Sequence, residues 1–222
     1  MDVDTVSKKN SHEIILNRFR EEEIDILIGT QMVVKGHHFP NVTLVGVVAA
    51  DSSLNIDDYR ANERTFQILT QVAGRAGREN LPGQVIIQTY QPENFAIQCV
   101  RKQNNEKFYE TELELRKQLK YPPFCDIIVI GISGRNQEEI TSLENEIYHY
   151  LIMYLPQNQY KIFNPMPAPI DKIQNRIRHR IIIKGKMTNQ ANEILNECLH
   201  QVYQKAFKDI KVMIDINPNN MS

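Results

Sequence analysis

Apolar residues along this chain recur with helical spacing in some stretches and gather into short continuous runs in others. Ser11 followed by Ile14, Ile15, Leu16 and Phe19 predicts a short amphipathic helix with Ser11 as its cap. The run Ile24, Ile26, Leu27, Ile28, ending at Gly29-Thr30, predicts a buried parallel strand. Val42 to Ala50, apolar at nearly every position, predicts a second such strand ending at Asp51. Between Ala61 and Arg78 the spacing of Phe66, Leu69, Val72 and Ala73 predicts a helix. Leu81-Pro82-Gly83 then marks a turn, and Val85-Ile86-Ile87 a third strand. This alternation of strands and helix predicts an α/β unit, a parallel sheet with flanking helices. Such sheets gather their working loops at the C-terminal ends of the strands, where Gly29 to Lys35 and the segment from Asp51 fall.

The rhythm changes further on. Glu93 to Leu119 is polar and periodic, a helical connector broken by Tyr121-Pro122-Pro123. Strands are predicted at 126–133, 160–163, 178–184 and 210–216, and helices at 136–155 and 189–207. The first of these helices carries apolar residues at 140, 143, 147, 151 and 155. The resulting order, β-α-β-β-α-β, is the split βαβ or ferredoxin-like arrangement of an α+β domain. Three parts are therefore expected: an α/β part at 1–92, a helical connector at 93–120, and an α+β domain at 121–222. Pro165-Met166-Pro167-Ala168-Pro169 is expected to be extended and stiff, either to present Ile170 to a groove or to fix the crossing between two strands.

Composition narrows the function classes only a little. The 222 residues are 41% hydrophobic and 24% charged, ordinary for globular chains, and the formal net charge of -1 carries no nucleic-acid signal by itself. Cys99, Cys125 and Cys198 stand far apart with no Cys-x-x-Cys pair, so neither a zinc knuckle nor a disulfide framework is expected, and no metal ligands are assigned. The longest apolar run has nine residues, against the roughly 20 that cross a bilayer. No signal peptide is visible, and the cytoplasm is the expected compartment. The abrupt opening, Met1-Asp2-Val3-Asp4, suits a fragment.

The sharpest local feature is Gln71-Val72-Ala73-Gly74-Arg75-Ala76-Gly77-Arg78. On a helix, Arg75 and Arg78 share one side. Gly74 and Gly77 each cost about 1 kcal/mol of helix stability relative to alanine, which is explained if a ligand approaches the backbone closely. Two guanidiniums there suit a triphosphate, whose oxygens they can grip bidentately; a solvated helix end terminated by glycines is the plainer alternative. Gly29-Thr30-Gln31-Met32-Val33-Val34-Lys35-Gly36 supplies a hydroxyl, a lysine and a flexible glycine after a predicted strand. It could hold a phosphate, although read alone an ordinary strand-to-helix turn is the better reading. The adjacent His37 and His38 do not converge easily on one metal.

Together these segments resemble motifs V and VI of superfamily 2 helicases. With MDVDT, ILIGTQMVVKGHHFPNVTLVGVVAAD, RANERTFQILTQVAGRAGR and PMPAPIDKIQNRIRHR, the resemblance is to the PriA family of replication-restart DNA helicases and spans essentially the whole chain. It implies a partial RecA-like helicase lobe 2 followed by the C-terminal domain. Gln71, Arg75 and Arg78 then correspond to the residues that face ATP across the lobe interface, with Arg78 as arginine finger and Gly74 and Gly77 beside them. Thr30, Lys35 and Gly36 correspond to the motif that couples bound DNA to the ATP state, with Asp51 helping to order this network and Asp4 in the opening strand of the lobe. The family implies ATP with Mg2+, and zinc held by cysteines in a preceding region that this chain lacks. It implies 3′-to-5′ translocation, single-stranded and fork DNA, single-stranded DNA-binding protein and other primosome proteins as partners, a bacterial cytoplasmic setting and a monomeric full-length protein. The sequence contains neither a Gly-x-x-x-x-Gly-Lys-Ser/Thr loop nor an acidic box for magnesium, so the chain alone is expected to be inactive.

The remaining signal is electrostatic. Residues 160–186 hold Lys161, Lys172, Arg176, Arg178, Arg180, Lys184 and Lys186 against the single Asp171. On a strand, Arg176, Arg178 and Arg180 point to one face, which suits a phosphate backbone; a charged edge that blocks aggregation is the bland alternative. Family members often carry an aromatic among these basic residues, whereas Ile177 and His179 stand here, so base stacking is not expected from this segment. Two function classes follow: part of an ATP-dependent helicase, or a non-enzymatic docking module for branched DNA or primosome proteins. Another superfamily 2 translocase is disfavoured because the resemblance continues through the second domain.

Overall fold

The computed structural model describes residues 11–21, 24–30, 42–74, 83–205 and 209–221. Its architecture is mixed α/β, with one parallel and one antiparallel sheet. The chain divides into two compact units, the first holding residues up to Ile56 and Arg60–Tyr109, the second holding Asp57–Tyr59 and residues from Glu110 onward.

In the first unit, helix α1 spans Ser11–Glu21, with Ser11, the expected cap, itself within the helix. Strands β1 (Leu44–Val47) and β2 (Gln84–Ile87) pair in parallel, Leu44 opposite Gln84 and Val47 opposite Ile87. Between them lie α2 (Asp51–Leu54) and α3 (Ala61–Ala73), and after β2 comes α4 (Phe95–Arg101). Asn94 caps α4 by accepting a hydrogen bond from Ala96 N at 2.9 Å. Helix α5 (Asn105–Leu119) contributes Phe108, which stacks on Phe66 of α3 with ring centroids 3.8 Å apart. Phe66, Leu69, Ala96, Ile97, Cys99, Val100 and Phe108 form the unit's core.

Two expectations fail here. Residues 24–30 join no described ladder, and Ile26 and Ile28 are 74% and 79% exposed. β1 is shorter than the apolar run that contains it, and its Leu44 is exposed where full burial was expected. A continuous apolar run becomes a buried strand only when neighbours cover both faces, and among the described residues β1 pairs with β2 alone. The predicted single connector is also interrupted: α4 and α5 are separated at 102–104, where Gln103 has a φ of 52°.

The second unit is an antiparallel sheet with two helices on one face. β3 (Asp126–Gly134), α6 (Gln137–Tyr154), β4 (Lys161–Ile162), β5 (Met166–Ile173), β6 (Arg176–Gly185), α7 (Asn189–Gln204) and β7 (Lys211–Ile216) follow in that order. The main strand order is β4-β6-β3-β7, and β5 also pairs with β6. Even-numbered Ile128, Ile130 and Ile132 of β3 and odd-numbered Ile181 and Ile183 of β6 meet the helices. The predicted stripe of α6 is buried in full: Ile140, Leu143, Ile147, Leu151 and Leu155 are all at most 2% exposed. Asn136 caps α6 through Glu138 N, and Thr188 caps α7 through Ala191 N.

β5 was expected only as an extended stretch. Proline lacks the N–H that a central strand donates, so a Pro-rich strand is tolerated at an edge or an irregularity. β5 meets both conditions, with a register shift between Pro167 and Lys172. Its hairpin to β6 closes through Gln174 and Asn175, both at positive φ (48° and 63°), as tight two-residue hairpins require.

Gly185 ends β6 against the ring of the buried Tyr160, and a Cβ there would collide with that ring and lie 3.0 Å from Gln159 O. Gly185→Ala is therefore expected to destabilise the second unit by about 1–3 kcal/mol, read from a denaturant midpoint. An unchanged midpoint would show that Tyr160 can move aside.

Candidate nucleic-acid and nucleotide interface

In the first unit, the C-terminal ends of β1 and β2 are tied together by one carboxylate. Asp51 follows β1 and is buried. It accepts from Thr89 Oγ1 at 2.7 Å, Tyr90 N at 2.9 Å and Gln91 N at 3.2 Å, all just beyond β2. The Thr89 hydroxyl first, and then the Tyr90 amide, hold its pKa below the usual aspartate value. A depressed folded pKa contributes stability above the unfolded value and loses it as the pH falls through the folded one. The stability that Asp51 contributes to the first unit is expected to fall away below about pH 4, the ordinary aspartate range. Asp51→Asn should weaken that acid dependence, and an unchanged acid transition would show that Asp51 does not set it.

Of the residues assigned to nucleotide contact, two are described. Gln71 lies in the last turn of α3, exposed, with no side-chain hydrogen bond among the described residues. Gly74 is the C-cap, its N–H bonded to Thr70 O at 3.0 Å. Among the described residues a Cβ at Gly74 would meet the Thr70 and Gln71 carbonyls at 3.6 and 3.7 Å, ordinary contact distances, so α3 itself does not require glycine there. Thr30 is described and exposed. Arg75, Gly77, Arg78, Lys35 and Gly36, along with Asp4, His37 and His38, lie outside the described residues.

In the second unit the basic residues share a face, although they are engaged unequally. With odd positions of β6 turned to the helices, Arg176, Arg178, Arg180 and Lys184 rise from the opposite, outer face. Arg176 donates to Asp209 Oδ1 at 2.8 Å, Asp209 O at 2.6 Å and Ser133 O at 3.1 Å. Arg180 is 6% exposed, donating to Asp57 Oδ2 at 2.6 Å and to Met221 O at 2.5 Å. Arg178 makes one long bond, to Ile170 O at 3.3 Å. Lys184 donates to Leu119 O at 3.2 Å and stands over the Tyr121 ring, 3.5 Å from its centroid. Arg176 and Arg180 thus have internal structural partners, whereas Arg178 and Lys184 are held less tightly.

The aromatics near these cations come from elsewhere in the chain. Tyr121 precedes β3, and Phe163 follows β4, with Lys161 5.0 Å and Lys184 5.9 Å from the Phe163 centroid. Reading 176–184 as an isolated strand missed both, because cross-strand neighbours leave no mark in local spacing. His179 faces the helices instead, its Nδ1 2.6 Å from Glu144 Oε2 on α6.

A model for the helicase conserved C-terminal domain matches residues 3–80, and one for the primosomal protein N C-terminal domain matches 117–219. The replication restart protein PriA of Bacillus subtilis is 42% identical over 222 residues, covering 100% of this chain and 28% of the relative. The chain belongs to the PriA family. PriA of Synechocystis is 45% identical over 82% of the chain and 22% of that protein, and PriA of Rickettsia felis is 39% identical over 93% and 32%. The chain therefore spans about a quarter to a third of the length of these PriA relatives. No group of three or more His, Cys, Asp or Glu side chains that could hold a metal ion occurs among the described residues, so they do not fit a zinc site. No helix among them is long and apolar enough to cross a membrane.

Cys99 and Cys198 are buried and Cys125 half-buried. Burial first, then Glu146, pushes the Cys198 thiol up to about 11, leaving little thiolate near neutrality. A thiol reagent at pH 7.5 is expected to modify Cys125 first and Cys198 only on unfolding, as mass spectrometry of the labelled peptides would show. Rapid native labelling of Cys198 would contradict its placement in α7.

Proposed function

We propose that this chain forms the C-terminal part of an ATP-dependent 3′-to-5′ DNA helicase that recognises stalled or repaired forks and starts primosome assembly for replication restart. The observation that carries the proposal is the succession, in one chain, of a helicase C-terminal match and a primosomal C-terminal match. In this reading residues 1–92 are part of a RecA-like second lobe, 93–120 a helical connector whose α4 packs into the first unit's core, and 121–222 the DNA- and partner-binding domain. The order β4-β6-β3-β7, with both helices on one face, supports a ferredoxin-like description of that domain, with β5 as an addition.

ATP with Mg2+ supplies the free energy when bound, and the phosphate-binding loop would come from outside this chain. The exposed Gln71 side chain, without a hydrogen bond among the described residues, and the exposed C-cap at Gly74 fit a nucleotide-facing helix end. Arg75 and Arg78 would neutralise charge that builds on phosphate oxygens during transfer, with Gly77 allowing close approach. Thr30, Lys35 and Gly36 would couple the DNA strand to that step, and Asp51 would hold the two strand ends that carry the working loops. Zinc would belong to another region of the longer protein. Single-stranded DNA-binding protein and other primosome proteins are the proposed partners, in a bacterial cytoplasm, with a monomeric full-length protein.

A chimera in which this chain replaces the matching region of the Bacillus subtilis relative tests the proposal. It is expected to unwind forks in an ATP-dependent, 3′-to-5′ manner. A folded, ATP-hydrolysing chimera that unwinds with the opposite polarity would overturn it. The cationic outer face of the second unit favours a companion reading, in which the chain alone acts as a docking module for single-stranded or fork DNA without hydrolysis.

A further inference from the structure

Two lysines stand directly across from each other on the outer face of the second unit's sheet. Lys161 and Lys184 are register partners in the β4–β6 pair, and their neighbours Ile162 and Ile183 turn toward the helix-covered core. Both ammonium groups therefore rise on the side away from the helices. Like charges directly opposite on adjacent strands destabilise the pairing. Neither lysine forms an ion pair with a carboxylate among the described residues.

Aromatic faces lie beside them instead, and Lys184 also donates to Leu119 O at 3.2 Å. Lys184 Nζ lies 3.5 Å from the Tyr121 centroid and 5.9 Å from that of Phe163, and Lys161 Nζ lies 5.0 Å from Phe163. Desolvation draws the Lys184 pKa below the ordinary lysine value, and the charge of Lys161 adds to that fall. Nearby acids are already engaged: Asp57 accepts from Arg180 and Asp58 from Met221 N. Asp126 accepts from Met187 N and Asn217 Nδ2. Two facing cations held in this way concentrate positive potential, and one anion between them relieves the repulsion of both.

The geometry points to Lys161 and Lys184, set on Phe163 and Tyr121, as a seat for a backbone phosphate of single-stranded nucleic acid. A phosphate oxygen between the ammonium groups would be bonded by both. The half-exposed Phe124, in the turn that Tyr121 opens, offers an aromatic surface to an unpaired base, which a duplex keeps stacked inside. The inference rests on the nucleic-acid reading above and adds Lys161, across the strand pair from Lys184, to the cationic outer face.

The test is titration of a labelled oligothymidylate with the 222-residue chain across a range of chloride concentrations. Lys161→Ala with Lys184→Ala is expected to weaken binding at low salt by at least about ten-fold. It should also flatten the dependence of log affinity on log salt by about 0.7 for each phosphate that is no longer neutralised. Lys161→Arg with Lys184→Arg, which keeps both charges, should retain most of the affinity. The exposed Lys161→Gln alone should show a smaller loss in the same direction, even if the double alanine variant unfolds. Unchanged affinity and slope in a folded alanine variant, beside a parent that binds, would overturn the seat and leave the nucleic-acid reading intact. A parent that binds neither single-stranded nor fork DNA would overturn both. Equal losses on a duplex of the same sequence would overturn the single-strand assignment. Inorganic phosphate that binds the parent as tightly as the oligothymidylate does would assign the seat to the free anion and overturn the strand assignment.

Discussion

Arg78→Ala, made in the chimera with the Bacillus subtilis relative, is expected to lower DNA-stimulated ATP hydrolysis by about 10³-fold or more while leaving DNA affinity near that of the parent. The size follows from what a finger does. Charge spreads over the equatorial oxygens of the transferring phosphoryl group, and a fixed guanidinium stabilises that state more than the bound ground state. Lysine at 78 should restore little, because a point charge lacks the planar fork. The readout is steady-state hydrolysis at saturating single-stranded DNA. Alanine variants that hydrolyse ATP at the parental rate would remove Arg78 from this role. Arg75→Ala would then be the next variant to read.

The second large effect concerns stability. Arg180→Ala is expected to destabilise the second unit by about 2–3 kcal/mol, the usual scale for losing charge-assisted hydrogen bonds at a buried site. Arg180 is 6% exposed, and its loss leaves Met221 O and Asp57 without their partner. Its Nε is buried with no hydrogen-bond partner, so the guanidinium is held by these two bonds alone among the described residues. The Asp57 side chain is 76% exposed, and solvent screening keeps the expected cost below that of a fully buried pair. Arg178→Ala, which loses only a 3.3 Å bond to Ile170 O, should shift stability by no more than about 0.5 kcal/mol while weakening DNA binding. Denaturant midpoints of the two variants, measured beside DNA titrations, separate the roles. Equal stability of both would show that Arg180 is free enough for the DNA contact proposed for Arg178.

Regular periodicity explains which parts of the fold were legible. The stripe from Ile140 to Leu155 fixed the inner face of α6 before any tertiary information, because one helix face must be covered whatever covers it. Phe66, Leu69 and Val72 did the same for α3. The run at 24–28 misled for the opposite reason: hydrophobicity shows that burial is sought, while strand formation depends on which neighbours pair. β5 was obscured by its prolines, which oppose a central strand yet are accommodated at an irregular edge.

The candidate site was legible as chemistry more than as geometry. Alternation gathered Arg176, Arg178 and Arg180 on one face, which Lys184 shares in the structure, but local sequence carried no sign that Asp209 and Asp57 would engage two of them. Nor did it show Lys161 opposite Lys184, or Tyr121 beneath it, since those arrangements arise from strand pairing and a distant turn. Asp51 stood out by its place at a strand end, but the partners of its three acceptor bonds, Thr89, Tyr90 and Gln91, left no mark in local spacing.

The central claim is that this chain supplies one side of a DNA-coupled ATPase. The most direct measurement is ATP hydrolysis by the chimera as single-stranded DNA is added, beside the 222-residue chain alone. Hydrolysis is expected to rise steeply with DNA in the chimera and to stay at background in the chain alone. A folded chimera that binds ATP and DNA yet hydrolyses no faster with DNA than without it would contradict the claim.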